Sequence, residues 1–192
     1  MQHNKILIKS AGRTASHLAL GLLESAGYTV YWTEQYASNT ARSPIVSQDD
    51  PQVWYDHQQG WPNPGMDWCC VLIRRRDRHS QIISRILAQY TGETVLFTDR
   101  VIPPRVITPA EWRWHADWMA RCESEWRATA PRPLQTWFTE DLIAEPHRVV
   151  RSVCPTLPDS ARSRFPINPR PLASLCVNWA ETKTWPIPHS LI

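Results

Sequence analysis

The first thirty-two residues contain two short apolar runs separated by a helix-forming stretch. Residues 5–9 and 28–32 are rich in β-branched or aromatic side chains, which favours strands. Residues 16–26 carry leucines at helical spacing and end at Gly27, which favours a helix. Two strands joined by a helix pair in parallel. The sequence therefore predicts an α/β fold with a central parallel sheet flanked by helices.

The same alternation continues along the chain. Further strands are predicted at residues 67–74 and 134–138. Further helices are predicted at residues 80–90 and 145–153. A third helix is predicted to start at a capping box formed by Thr108 and Glu111 and to end at about residue 128. Prolines recur from residue 154 onward, so an extended surface tail is expected there. We interpret the 192 residues as one domain, with a core at about 5–153 and a tail at 154–192.

Residues 33–66 contain no convincing helix or strand pattern. The segment is rich in polar residues and proline, and loops of this length are often functional. Its aromatic residues Trp54, Tyr55 and Trp61 have rings suited to stacking on sugar faces, although packing would use the same rings.

Composition limits the class of protein. A formal net charge of +3 is too small for general coating of nucleic acid, and no apolar stretch reaches the length of a signal-peptide core or membrane span. Five cysteines without metal-ligand spacing favour reduced core residues, and no metal-binding cluster is found. A cytoplasmic location is the expectation, with no membrane partner and with homo-oligomerisation left open.

The turn after the first predicted strand has the features of an anion-binding loop. Residues 11–17, with the sequence AGRTASH, lead from a strand into a helix, whose first amides and dipole attract negative charge. Arg13 adds a cation, and Thr14 and Ser16 add hydroxyl donors. It is not a Walker A loop, since G-x-x-x-x-G-K-[ST] is absent. The alternative is a plain connection with a polar cap.

A second basic turn follows the apolar run 67–74. Arg74, Arg75 and Arg76 precede an aspartate and a helix that carries Ser84. Arg76 and Ser84 are eight residues apart across the turn, so the chain can fold both onto one phosphate. The ends of parallel strands face the ligand crevice, which supports this interpretation. The alternative is a solvated basic face or a nucleic-acid patch.

Three segments in this order resemble sulfotransferases that use 3′-phosphoadenosine-5′-phosphosulfate (PAPS). GRTASHL resembles their 5′-phosphosulfate loop, P-R-[ST]-G-[ST]-x-L. IRRRDRHSQIISRILAQYTG resembles the 3′-phosphate element of the trehalose 2-sulfotransferase-like branch, with R-R-x-D, Q-x-x-S and A-x-Q-x-G. FTEDL followed by Glu145-Pro146 resembles Y-E-D-L-x-x-[DN]-P. The resemblance spans roughly residues 5–153 and implies a three-layer P-loop-like fold.

The resemblance also implies roles for individual residues. The phosphosulfate loop would comprise Gly12, Arg13, Thr14, Ala15 and Ser16, with Arg13 and His17 beside the reacting sulfate. Arg76 and Ser84 would bind the 3′-phosphate, and Glu34 would act as general base. PAPS would be the sulfate donor, no metal would be needed, and the acceptor would be a hydroxyl of a carbohydrate or other small molecule.

Two departures from the family pattern allow other functions. Ala15 replaces a loop glycine, where a positive φ would be strained, and the tail lacks the Arg-Lys-Gly type of stretch that closes over the nucleotide. One alternative is therefore a non-catalytic nucleotide-binding or interaction protein on the same scaffold. A nucleic-acid-binding domain that uses the arginine run is a less favoured alternative.

Overall fold

Within the described residues, five parallel strands form the centre of the protein. The computed structural model describes residues 5–12, 14–32, 53–56, 68–91, 103–130, 134–164 and 172–192. The strands are β1 (Lys5–Ser10), β2 (Val30–Trp32), β3 (Val53–Asp56), β4 (Trp68–Arg74) and β5 (Leu134–Phe138). Their order in the sheet is β2-β3-β1-β4-β5, and each neighbouring pair is parallel.

Helices cover both faces of this sheet. They are α1 (Ser16–Ser25), α2 (Arg78–Thr91), α3 (Pro109–Thr129), α4 (Thr139–Ala144), α5 (Pro146–Arg151) and α6 (Trp179–Thr182). One apolar core joins α1, α4 and α5 to one side of the sheet, and a second joins α2 and α3 to the other side. In β4, Val71 and Ile73 belong to the first core and Leu72 to the second, as strand alternation requires. The predicted three-layer parallel α/β fold is confirmed.

Local sequence signals account for most of these elements. The capping box at the start of α3 is present: the Glu111 amide donates to Thr108 Oγ1 at 3.2 Å, and the Thr108 amide donates to Glu111 Oε2 at 2.9 Å. Strand β5 has the predicted bounds. All five cysteines are buried and free of disulfides, as expected for small core residues.

Strand β3 corrects the prediction that residues 33–66 lack regular structure. Val53 and Tyr55 are buried in the first core, and Ile6 and Ile8 of β1 are their register partners. Four residues are too few to show a periodic pattern, so local sequence gave no adequate signal. Tyr55 is fully buried, so of the two uses considered for its ring, packing is the one observed and stacking on a sugar is not. The rest of the segment lies outside the described residues.

The segment after residue 153 is more integrated than an extended tail. Its described residues include α6 and two short 3₁₀ helices, Leu172–Ser174 and His189–Leu191. Leu191 is buried in the second core, against α2 and α3. Prolines limit the length of each helix here, but apolar side chains between them still reach the core.

A buried charge cluster fixes this C-terminal segment to the sheet. Glu123 of α3 is fully buried and accepts bonds from both terminal nitrogens of Arg78 at 2.8 Å and from Nε of Arg74 at 2.9 Å. Both arginines also donate to the Leu191 carbonyl, at 2.9 Å from Arg78 and 3.1 Å from Arg74. Arg74 and Arg78 are therefore structural, although the sequence placed them in a ligand-facing basic run.

This cluster predicts a large effect of removing its carboxylate. Glu123→Ala leaves two buried or half-buried guanidinium groups without a counter-charge, so the free energy of unfolding should fall by about 3–5 kcal/mol. Urea denaturation measures this difference. Glu125→Ala, two residues along the same helix, is the control and should change the value by less than about 1 kcal/mol. Equal effects of the two substitutions would contradict a structural role for the cluster.

Candidate functional site

Side chains of α2 hydrogen-bond to the loop between β1 and α1. The Gly12 carbonyl accepts from Gln81 Nε2 at 3.1 Å, and the Ala11 carbonyl accepts from Arg85 Nη1 at 3.2 Å. A Cβ built on Gly12 would lie 3.3 Å from Arg85 Nη1, and Gly12 has φ 81°, so a glycine is required there. Helix α2 thus neutralises two carbonyl oxygens that would otherwise repel an anion.

Thr14 supplies the strongest indication that this loop binds a ligand. Its side chain is fully buried, and Oγ1 has no hydrogen-bond partner among the described residues. The following helix α1 starts at Ser16 without a side-chain cap. A buried hydroxyl without a partner costs about 1–3 kcal/mol, so native proteins rarely retain one without a role. An anion bound at the start of α1 would satisfy this hydroxyl and the first helical amides together.

Tyr55 joins the two ends of the loop. Its hydroxyl lies 3.0 Å from Ser10 Oγ, at the end of β1, and 2.7 Å from Ser16 Oγ, at the start of α1. Ser10 Oγ also accepts from the Gly12 amide at 3.3 Å. The His17 ring packs edge-on toward the Tyr55 ring, with centroids 6.3 Å apart. Tyr55 is therefore a positioning residue that sequence reasoning missed, because its partners are distant in sequence.

Ala15 adopts the backbone conformation that the sequence marked as a source of strain. It has φ 56° and ψ 23°, in the left-handed region, and no other described non-glycine residue has a positive φ. A methyl group in this conformation is unfavourable, whereas glycine has no such cost. The loop therefore holds a left-handed residue at position 15 in spite of the alanine side chain.

The turn after β4 is held by the start of α4. Arg76 donates from Nη1 and Nη2 to the two carboxylate oxygens of Asp141, each at 2.8 Å, and its guanidinium lies 4.1 Å from the Phe138 ring centroid. The Arg76 amide donates to both Glu140 oxygens at 3.1 Å. Hydrogen bonding to Arg76 lowers the pKa of the Asp141 carboxyl. The side chain of Arg76 therefore contacts the β5 side of the turn.

The two predicted ligand-binding turns leave the sheet at the same edge. Strands β1 and β4 are neighbours, with Ser10 opposite Ile73. The contacts across this gap come from Gln81 and Arg85 of α2, which reach the loop. Ser84 lies on the same helix and is only 5% exposed.

Several predicted site residues can now be placed, and two cannot. Gly12, Thr14, Ala15, Ser16 and His17 lie together at the junction of β1 and α1. Arg13 and Glu34 lie outside the described residues, so their positions and roles remain predictions.

Metal binding and membrane insertion each need features that can be assessed in the part of the chain that the structure describes. That part holds no group of three or more His, Cys, Asp or Glu side chains arranged to bind a metal ion. None of its helices combines the length and apolar character needed to cross a membrane.

Comparison with known proteins gives distant structural neighbours. No protein-family model matches the chain, and no curated protein sequence matches it significantly. A crystal structure of retinol dehydratase with androsterone and inactive cofactor PAP is similar, with 10% identity and TM-score 0.49, over 81% of this chain and 60% of that chain. Retinol dehydratase with retinol and PAP gives 11% identity and TM-score 0.47, over 82% and 60%. The chain thus spans 60% of the length of these neighbours. The ligands named here were bound to those proteins.

The strained alanine generates a stability prediction. Ala15→Gly should raise the free energy of unfolding by about 1 kcal/mol, because glycine accepts the left-handed conformation without steric cost. Ala26→Gly, at the other end of α1 with φ −85°, is the matched control and should lower it by about 0.5–1 kcal/mol. Thermal and urea denaturation measure both changes. A destabilised Ala15→Gly variant would show that the methyl group is not strained.

The hydroxyl of Tyr55 generates a second prediction. Tyr55→Phe should lower the free energy of unfolding by about 1–3 kcal/mol, because it leaves the Ser10 and Ser16 hydroxyls without their buried partner. Hydrogen exchange of amides 11–18 should accelerate, as measured by mass spectrometry. Tyr28→Phe is the control: it removes a half-buried hydroxyl near the opposite end of α1 and should leave the exchange rates of amides 11–18 unchanged. Unaltered exchange in Tyr55→Phe would contradict the positioning role.

Proposed function

We propose that this protein is a sulfotransferase that transfers a sulfuryl group from PAPS to a hydroxyl of a carbohydrate or other small acceptor. The observation that carries the proposal is the β1–α1 loop, whose Ala11 and Gly12 carbonyls are bound by α2 and whose buried Thr14 hydroxyl has no partner among the described residues. An anionic group of the donor fits this arrangement. The choice of PAPS among phosphate-containing ligands rests on the sequence resemblance of the loop and of the arginine–serine element.

Each end of the donor would have its own set of residues. Thr14, Ser16 and the first amides of α1 would hold the 5′-phosphosulfate, together with Arg13. Arg76 and Ser84 would hold the 3′-phosphate. The Asp141 carboxylate engages one N–H on each terminal nitrogen of Arg76, and the remaining N–H groups suffice for a phosphate oxygen. Arg76 is 51% exposed, which leaves it accessible to a ligand.

The reaction requires positioning and charge stabilisation. When bound, PAPS would supply a sulfuryl group that passes to the acceptor oxygen as its bond to the 5′-phosphate breaks. The α1 amides and Thr14 hydroxyl would stabilise negative charge that develops on the oxygens. Glu34 would accept the proton of the acceptor hydroxyl as general base. His17, in the first turn of α1, would lie beside the reacting group.

A second candidate is a non-catalytic nucleotide-binding protein on the same scaffold. The left-handed Ala15 favours it, since the added methyl group lies in the loop that approaches the sulfate. This protein would retain Arg76 and Ser84 but would not require Glu34.

Nucleic-acid binding by the arginine run is not supported by the structure. Arg78 is 94% buried in the Glu123 cluster, and Arg74 belongs to the same cluster. The run therefore does not form the continuous solvated basic face that phosphate backbones require.

The donor site predicts a thermal shift with 3′-phosphoadenosine 5′-phosphate (PAP). At a PAP concentration about a hundredfold above Kd, the wild-type melting temperature should rise by about 5–10 °C. Arg76→Ala should abolish most of this rise, whereas Arg121→Ala, on an exposed position of α3, should retain it. Thr14→Val should reduce the rise while changing the stability of the ligand-free protein by less than about 1 kcal/mol, because the hydroxyl has no partner to lose among the described residues.

The outcomes separate the two candidate functions. Absence of any shift in wild type would remove the donor site and both candidates. A PAP shift with transfer of labelled sulfate from PAPS supports the sulfotransferase, and Glu34→Gln should then lose transfer while retaining PAP binding. A PAP shift without transfer supports the non-catalytic protein.

A further inference from the structure

A cavity of about 410 Å³ lies between the C-terminal half of α2 and the first turns of α3. This volume is within the usual range for small-molecule sites. The residues that define its chemistry are Gln89, Tyr90, Arg105, Glu111, Trp114 and His115. None of them belongs to the donor site proposed above.

Two aromatic side chains on this cavity are unusually exposed. Tyr90 is 60% exposed and Trp114 is 51% exposed. Large aromatic rings normally bury most of their surface, and a ring that keeps both an apolar face and a polar edge in solvent suits a ligand with both characters. Both rings therefore keep a large part of their surface accessible to a ligand in the cavity.

The charges on the cavity compensate each other. Arg105 Nη2 lies 2.5 Å from Glu111 Oε1, and the Arg105 guanidinium lies 4.4 Å from the Tyr90 ring centroid. A charged ligand would have to displace one partner of this ion pair, whereas a neutral ligand would not. The cavity therefore favours a neutral ligand.

His115 adds a hydrogen-bonding group that the described part of the protein does not satisfy. The side chain is 5% exposed, and Nδ1 has no partner among the described residues. Burial, together with nearby Arg85, lowers the pKa of His115 to about 4, so the ring is neutral at physiological pH. A neutral imidazole nitrogen can form one hydrogen bond with a hydroxyl group of a ligand, and no charge is introduced into the cavity.

We infer that this cavity binds a neutral, hydroxyl-bearing ring of the sugar type. The apolar face of such a ring would stack on Trp114 or Tyr90, and its hydroxyls would bond to His115, Gln89 and the outer edge of the Arg105–Glu111 pair. A flat aromatic ligand would leave the polar groups unsatisfied, and an anion would disrupt the ion pair.

Helix α2 connects this cavity to the anion-binding loop. Arg85 donates to the Ala11 carbonyl of the loop, and its guanidinium lies 3.6 Å from the ring centroid of Trp118 on α3. Ile86, the next residue of α2, lines the cavity. This proximity makes the ring ligand a candidate for the sulfate acceptor, an assignment that rests on the proposed function.

Nuclear magnetic resonance titration of the full chain tests the inference with maltose as the sugar and phenol as the planar aromatic alcohol. Maltose should shift the amides of residues 86–90 and 110–115 in a saturable manner. Trp114→Ala and Tyr90→Ala, both at exposed positions, should each weaken binding about tenfold. Val177→Ala, at a 63% exposed position outside the cavity, should leave binding unchanged.

Each other outcome overturns a defined part of the inference. If phenol binds as tightly as maltose, the sugar class is wrong; if neither saturates, the cavity is not a ligand site. A PAP shift without maltose binding overturns the cavity and leaves the donor site intact. Maltose binding without a PAP shift retains the cavity and removes its assignment as the acceptor site.

Discussion

The Tyr55 hydroxyl is the point on which the geometry of the candidate site depends. It lies 3.0 Å from Ser10 Oγ and 2.7 Å from Ser16 Oγ, and so connects β3, the end of β1 and the start of α1. Among the described residues of the intervening loop, Gly12 and Ala15 both have a positive φ. Its shape therefore has to be imposed from its two ends and from α2 beneath it. This arrangement explains how an alanine persists where glycine would be favoured.

The arginines around the turn after β4 have two different functions. Arg74 and Arg78 share the buried carboxylate of Glu123, which keeps them out of solvent. Arg76 is exposed and is oriented by Asp141, which leaves part of its guanidinium for a ligand. Arg74 and Arg78 are therefore largely withdrawn from solvent anions, whereas the Arg76 guanidinium is accessible and contributes to the local positive field at this edge of the sheet.

Sequence patterns predicted the architecture well because long apolar runs and caps are local signals. Strand β4, the α3 capping box and β5 follow directly from residues adjacent in sequence. Strand β3 was missed because four residues between polar segments carry no measurable period, and its burial depends on pairing with β1 and β2. The role of Tyr55 could not be predicted for the same reason: its hydrogen-bond partners are 45 and 39 residues away in sequence. Likewise, no local pattern distinguishes Arg78, which pairs with Glu123, from Arg76.

The Leu191 carbonyl has a consequence for how this chain matures. Arg74 emerges from the ribosome 117 residues before the oxygen that it finally contacts. Until then, the guanidinium groups of Arg74 in β4 and Arg78 in α2 lack one of their acceptors, and water must occupy that position. Completion of the native interior therefore depends on the segment that carries Leu191, and a nascent chain stalled before residue 191 would keep water in place of this carbonyl.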